Sequence, residues 1–375
     1  MNKSELKGKI QTVLGLIDPE NVGITLPHEH FLLDASCFFK VPDQANEKAL
    51  ALQPVSLENL GWVRYHFLNN LDNIRLLDEQ MAISEALRYK YAGGNSVVDM
   101  TTVGIGRDPS ALARISRATG LNIIMGSGYY LEETWPAGLN EEKMAQEIIQ
   151  DITEGVGDTG IRAGIIGEIG TEMVGGIEAG YKQNTSITLT KNLLGENYHM
   201  LLKAVAYAQK ETGAAINIHP GHSPNLVFEI IEVLSNAGAD ISRVAMSHIE
   251  RTIFDHDMRV DLAKTGCYLE YDCFSFEGYH RVRHVLSEEN PVPCFIPNDA
   301  KRIEEIMALI DAGYIDQILI SQDTCNKHRL WHYGGPGYAH ILENVVPYIM
   351  RGKGMTHKQI KQIMVENPKR LLQFA

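Results

Sequence analysis

Cysteine is scarce in this chain: Cys37, Cys267, Cys273, Cys294 and Cys325 form an odd set with no Cys-x-x-Cys pair. That excludes a disulfide framework and a thiolate zinc site as organising devices, and it points to reduced thiols in a cytoplasmic protein. Long apolar runs are missing too. No stretch approaches the roughly 18 apolar residues of a membrane span, and "MNKSELKGKIQTVLGLIDPE" carries no apolar core long enough for a signal peptide. Positive charge is in short supply, with 34 Lys and Arg against 47 Asp and Glu, a formal net charge of −13. Nucleic acid and anionic membrane are therefore not expected as partners. No Gly-x-Ser-x-Gly elbow announces a serine nucleophile, and no internal repeat or low-complexity tract interrupts the chain.

What is present is alternation. Eight short β-like runs recur: 23–30, 95–102, 122–130, 163–170, 214–220, 243–249, 267–272 and 317–323. Amphipathic stretches lie between them, several ending in Gly, a common stop for a helix. Strands alternating with helices imply a parallel sheet. Eight units in a chain of 375 residues predict one (β/α)8 TIM barrel spanning 1–375, with a doubly wound open sheet as the alternative. A long helical stretch is expected over 62–93, and a long loop insertion over about 171–197 that is either an active-site cover or a surface excursion.

The polar residues gather at the ends of these runs. The first ends in His28 and His30, the fourth carries Glu168, the fifth His219, the sixth His248 and the eighth Asp323. In a parallel barrel these ends share one rim, the rim that carries barrel chemistry. Residues two apart on a strand point to the same side, so His28 and His30 can face one ion while Glu29 points away. Singly, each has a plain structural reading: a hydrogen-bonded core histidine, a buried ion-pair partner, a helix cap. Together they need six separate excuses. Imidazole and carboxylate ligate zinc and similar ions. Four His, an Asp and a Glu exceed one tetrahedral site and suit two divalent metals about 3.5–4 Å apart with a bridging carboxylate.

The motifs "LPHEH", "GEIG", "HPG", "SHIERT" and "ISQD" resemble the phosphotriesterase family of the amidohydrolase superfamily. "AGIIGEIG", "CYLEYD", "YGGPGYAHILENVVP" and "ENPKRLL" are similar to its phosphotriesterase-related branch. The resemblance runs from about Gly15 to Phe374. It implies a binuclear, usually zinc-binding hydrolase of a small ester, lactone or amide. His28, His30 and Asp323 would hold the buried metal and His219 and His248 the more exposed one. Glu168 would bridge them where many members use a carboxylated lysine. Asp323 would also serve as the catalytic proton acceptor. Tyr130 resembles a pocket tyrosine of lactonase members. Asp272 is expected to orient a ligand or touch substrate. Arg251 is expected either near the sixth-strand ligand or in a structural ion pair. Lys327, His328, Arg329 and His222 offer basic character suited to an anionic substrate.

The branch includes an N-acetyltaurine hydrolase, which makes an anionic N-acyl amide one expected substrate. A lactonase with weak organophosphate triesterase activity, a one-metal deaminase-like enzyme and a non-catalytic binding protein on the same fold are the rivals. Family members are often homodimers. His222, Cys273, Gln322 and the longer connection after Gly170 depart from the family pattern and border the expected pocket.

Overall fold

The computed structural model describes residues 1–174, 193–280, 286–287, 290–291 and 294–375, with side chains left aside over 278–295. Its centre is an eight-stranded parallel sheet: β1 (Thr25–Glu29), β2 (Ser96–Asp99), β3 (Asn122–Ser127), β4 (Ile165–Gly170), β5 (Ile216–His219), β6 (Val244–Met246), β7 (Tyr268–Tyr271) and β8 (Ile318–Ile320). Each expected run contains one of them. Each strand pairs with the next in chain order, from β1 to β8. The sheet thus curls into a nearly closed (β/α)8 barrel, as the alternation predicts.

Between the strands run α1 (Glu79–Tyr91), α2 (Pro109–Thr119), α3 (Glu141–Thr153), α4 (Glu196–Thr212), α5 (Pro224–Asn236), α6 (His256–Lys264) and α7 (Asp299–Asp311). Their starts are chemically marked. Asp78, Asp108, Asn140, Asp255 and Asn298 each accept a first-turn amide hydrogen, satisfying donors that have no partner within the helix. α2 and α4 stop at Gly120 and Gly213 in the left-handed conformation.

Strand side chains alternate between two apolar layers, as the pleat requires. Val97, Ile123, Ile166 and Leu269 join helix residues such as Ala86, Ile115, Ile148 and Leu226. Val98, Ile124, Ile165, Ala215, Ala245 and Leu319 form the other layer, with Ile10, Val22, Leu371 and Leu372 from near the two chain ends.

The long helix expected over 62–93 does not form. A short helix Leu60–Val63 and a turn Phe67–Asn69 give way to a strand Arg75–Leu76, which pairs antiparallel with Leu33–Asp34 before α1 begins. Asn70 and Asn73 are fully buried. Asn70 donates to Leu50 O and Gln53 O at 2.9 Å each, and its own Oδ1 takes the Asn73 amide at 2.8 Å. Such local bonds compete directly with helix.

Most of the insertion expected at 171–197, residues 175–192, lies outside the described residues. Its described ends are held together by an antiparallel bridge between Met173 and Leu194. Glu229 accepts the amides of Leu193 and Leu194 at 2.8 and 3.1 Å.

Candidate metal centre

At the C-terminal rim the six expected ligand-type residues converge. His28, His30 and Asp323 each bring one ligand atom within 4.8 Å of the others, and so do Glu168, His219 and His248. Glu168 stands between the two groups. Its Oε1 lies 2.6 Å from His219 Nδ1, 3.2 Å from His248 Nε2 and 3.6 Å from His28 Nε2. Its Oε2 lies 3.9 Å from His30 Nε2. Asp323 Oδ1 lies 3.3 Å from His30 Nε2 and 3.9 Å from His28 Nε2.

The inward nitrogens are aimed by partners on their far sides. His28 Nδ1 meets Glu270 Oε2 at 3.2 Å, and Glu270 is itself gripped by Ser247 and Asn217 at 2.7 and 2.6 Å. His30 Nδ1 meets Thr101 Oγ1 at 2.9 Å. His248 Nδ1 meets Asp272 Oδ1 at 2.6 Å, and Asp272 Oδ2 also accepts the His248 amide. Asp272 therefore orients a candidate ligand, one of its two expected duties. Such partners set the tautomer and raise the basicity of a ligating imidazole.

The donor set fits a divalent cation. His28 Nε2 is buried and has no hydrogen-bond partner. His219 Nδ1 and His248 Nε2 lie 2.8 Å apart, so two ring nitrogens face each other and need a proton or a cation between them. Burial opposes charge on His248, but Asp272 above all, with Glu168, pushes its pKa up to about 9. Burial, with the charges of His248 and Arg251, brings His219 down to about 4 against the pull of Glu168. Asp272 is held at about 2 despite its burial, chiefly by His248. The surrounding histidines also hold Glu168 and Asp323 below the ordinary carboxylate range despite burial, so these two and His219 stand in ligating states. His28, His30 and His248, pushed upward against burial by neighbouring carboxylates, would release a proton on binding a cation.

Two of the candidate ligands adopt backbone conformations that ordinary residues avoid. His248 has φ 55° and Asp323 φ 48°, at a cost of about 1–3 kcal/mol each. Both lie just past the end of a strand, two residues beyond β6 and three beyond β8, where the turn aims the side chain across the rim.

The basic residues are placed differently from one another. Arg329 donates to Asp323 O at 2.6 Å, to Phe274 O at 2.9 Å, to Ser275 Oγ at 3.1 Å and to Gln322 O. Lys327 pairs with Asp72 at 2.6 Å, and His328 holds Asn73, its imidazole lowered to about 3 by burial and Arg329. These three tie the loop after β8 to the barrel; they are not cations awaiting a substrate. His222 is mostly buried, with Nδ1 3.5 Å from Glu172. Arg251 stands nearest the fifth-strand ligand, Nη2 3.3 Å from His219 Nε2. Tyr130 brings its hydroxyl 3.3 Å from His219 Nδ1 and 3.4 Å from Nε2.

Reasoning from sequence missed Glu270 and Glu29. Glu270 carried a signal: it lies two residues before Asp272 on β7 and so shares its face. Glu29 points away from the ligand cluster, as expected, but into the end of β8, which its position in sequence does not disclose.

A parallel barrel with buried imidazoles and carboxylates on its C-terminal rim defines a metal-dependent hydrolase. The chain belongs to the phosphotriesterase family, whose profile matches residues 8–372. It is 38% identical over 375 residues to the N-acetyltaurine hydrolase of Mus musculus, covering 99% of each chain, so the likeness includes the whole barrel. It is 39% identical over 373 residues to a phosphotriesterase-related protein of Nematostella vectensis, covering 98% of this chain and 99% of that one. Among solved structures it matches a resiniferatoxin-binding protein from Rhodobacter sphaeroides with TM-score 0.87 and 32% identity over 98% of this chain and 95% of that chain. A lactonase of Listeria monocytogenes, at 23% identity and TM-score 0.71 over 98% and 99%, shares the fold. The chain is a hydrolase of this family. No helix among the described residues is long and apolar enough to cross a membrane.

Proposed function

We propose that this protein hydrolyses a small N-acyl amide carrying a carboxylate or sulfonate, with two divalent ions, zinc first among them. His28, His30 and Asp323 would hold one, His219 and His248 the other, and Glu168 would bridge them. When bound, such ions supply Lewis acidity, polarising a substrate oxygen and lowering the pKa of water. Asp323 accepts the proton of the attacking water and returns it to the leaving amine. Its side chain is 21% exposed, against 0% for His28, so it can reach both the ligand cluster and an incoming substrate. The chain would work as one barrel domain with a long loop insertion at about 171–197. It would act as a cytoplasmic homodimer with no nucleic-acid partner.

The observation that carries the substrate class is Arg251. It is 6% exposed and lies beside His219, so a cation borders the half of the site that holds His219 and His248. A guanidinium matches carboxylate and sulfonate oxygens. Lys327 and Arg329, the expected anion partners, are turned to Asp72 and to backbone oxygens, whereas Arg251 is the arginine that stands against a candidate ligand's side chain. Asp272 keeps its orienting duty, and His222 and Tyr130 complete the wall. Tyr130 supports a second reading, lactone hydrolysis, because its hydroxyl stands beside the candidate ligand His219 and it resembles the pocket tyrosine of lactonase members.

The test is a panel of N-acetyltaurine, N-acetyl amino acids, γ- and δ-lactones and a chromogenic phosphotriester, with and without chelator. Anionic N-acyl amides should be turned over fastest, and R251Q should lower their kcat/KM roughly 10–100-fold while sparing neutral esters. Preference for lactones, unchanged by R251Q, would replace this reading with the second. No turnover above the chelated control would favour a binding role.

A further inference from the structure

We infer that Glu29, the residue between the two first-strand histidines, is a positioning residue for Asp323. Among the described residues no ladder joins β8 to β1; the two strand ends meet at the rim through side chains and one backbone bond, Asp323 N–H to His28 O. Glu29 is fully buried. Its Oε1 accepts from Ser321 Oγ at 2.9 Å and from the Gln322 amide at 2.8 Å, and its Oε2 accepts from the Thr324 amide at 2.9 Å. Those amides flank Asp323 on both sides. The Asp323 amide donates to His28 O at 3.1 Å, and the carbonyls of Gln322 and Asp323 accept from Arg329. Every backbone polar group from the Gln322 amide to the Thr324 amide therefore has a partner outside its own turn.

This accounts for a left-handed aspartate where glycine would be the easy choice. The strained turn is held because a carboxylate from the first strand binds both of its shoulders at once. One side chain thereby sets where β8 ends and how the Asp323 carboxylate is aimed. A neutral amide cannot replace it. Glutamine has one acceptor oxygen, so its NH2 group would face an amide donor on one shoulder or the other.

The inference rests on Asp323 as proton acceptor, and a double-mutant cycle separates the two claims. E29Q, D323N and the double variant would be assayed as full-length, metal-loaded protein on the best substrate of the panel, with metal content and Tm measured beside kcat and KM. E29Q should lower kcat on the order of 10²-fold, the size of effect a small misplacement of a reacting group produces. KM and metal content should stay near wild type. In the D323N background E29Q should cost almost nothing further. S321A removes one hydrogen bond to Glu29 and the contacts of Ser321 Oγ with the His28 backbone without touching either shoulder of Asp323, so it should lower Tm with a smaller loss of kcat than E29Q. If E29Q does not fold, E29D, which keeps the charge and shortens the reach, enters the same cycle. Additive losses, or a kcat loss that only tracks Tm in both E29Q and S321A, would reduce Glu29 to a folding role and overturn the inference. Full turnover by D323N would instead remove the proton-acceptor reading itself, whatever Glu29 does.

Discussion

The two halves of the rim are built by different means. Around β1 and β8, Asp323 is held through backbone, with Glu29 and Arg329 gripping the amides and carbonyls of its turn, while His28 and His30 lean on Glu270 and Thr101 and His28 is fully buried. Around β5 and β6, His219 and His248 are held by side-chain partners, Asp272 and Glu168, and His219 keeps 13% of its side chain exposed beside Arg251 and Tyr130. A backbone grip leaves little to adjust, whereas a side-chain grip leaves a face to be varied. The first half is suited to holding an ion and a base at fixed angles, and the second to meeting a substrate.

The comparison can be broken most sharply at Asp323. D323N, like chelation, should lower turnover by about 10²–10⁴-fold, measured as initial rates with metal content by mass spectrometry; retained activity would erase the distinction between the halves. Next come matched histidine losses. H30N should reduce both bound metal and Tm, while H219N should reduce bound metal and kcat with Tm nearly unchanged, by calorimetry; equal Tm losses would show both halves to be equally structural. D272N should weaken metal binding on the β5/β6 side roughly 10–100-fold, read by competition with a chromophoric chelator, leaving one ion per chain bound tightly. The smallest effect belongs to Y130F, a shift of roughly 2–10-fold in KM from one neutral hydrogen bond, with kcat held. A kcat loss as large as that of D323N would move Tyr130 from the wall into the chemistry.

Much of this was legible before any coordinates. The eight strands announce themselves because each is a short apolar run closed by a polar end, and five of those ends carry six residues of metal-ligand type. The structure places these six on one rim at ligand-like distances. What could not be read lies in contacts between distant residues. Glu29 reads as an outward residue because its partners are 292 and 295 positions away. Arg329 reads as a substrate cation because sequence shows its charge but not the four oxygens around it. The stretch from Trp62 to Gly93 reads as helix because its apolar spacing says so, while the bonds of Asn70 and Asn73 that break it depend on burial.

The closing seam has a consequence for biosynthesis. Glu168 and His248, on the β5/β6 side, are separated by 80 residues and can meet while the ribosome is still at work. Glu29 and Ser321 are 292 residues apart, so the first histidines made must wait for nearly the last strand. Domains tend to gain structure from the N-terminus as they are made, and here that order leaves His28, Glu29 and His30 as an unfinished edge until the chain is almost complete. A nascent chain stalled before β8 would carry five of the six candidate ligands but lack Asp323, the proposed proton acceptor, so a truncated product is expected to be silent.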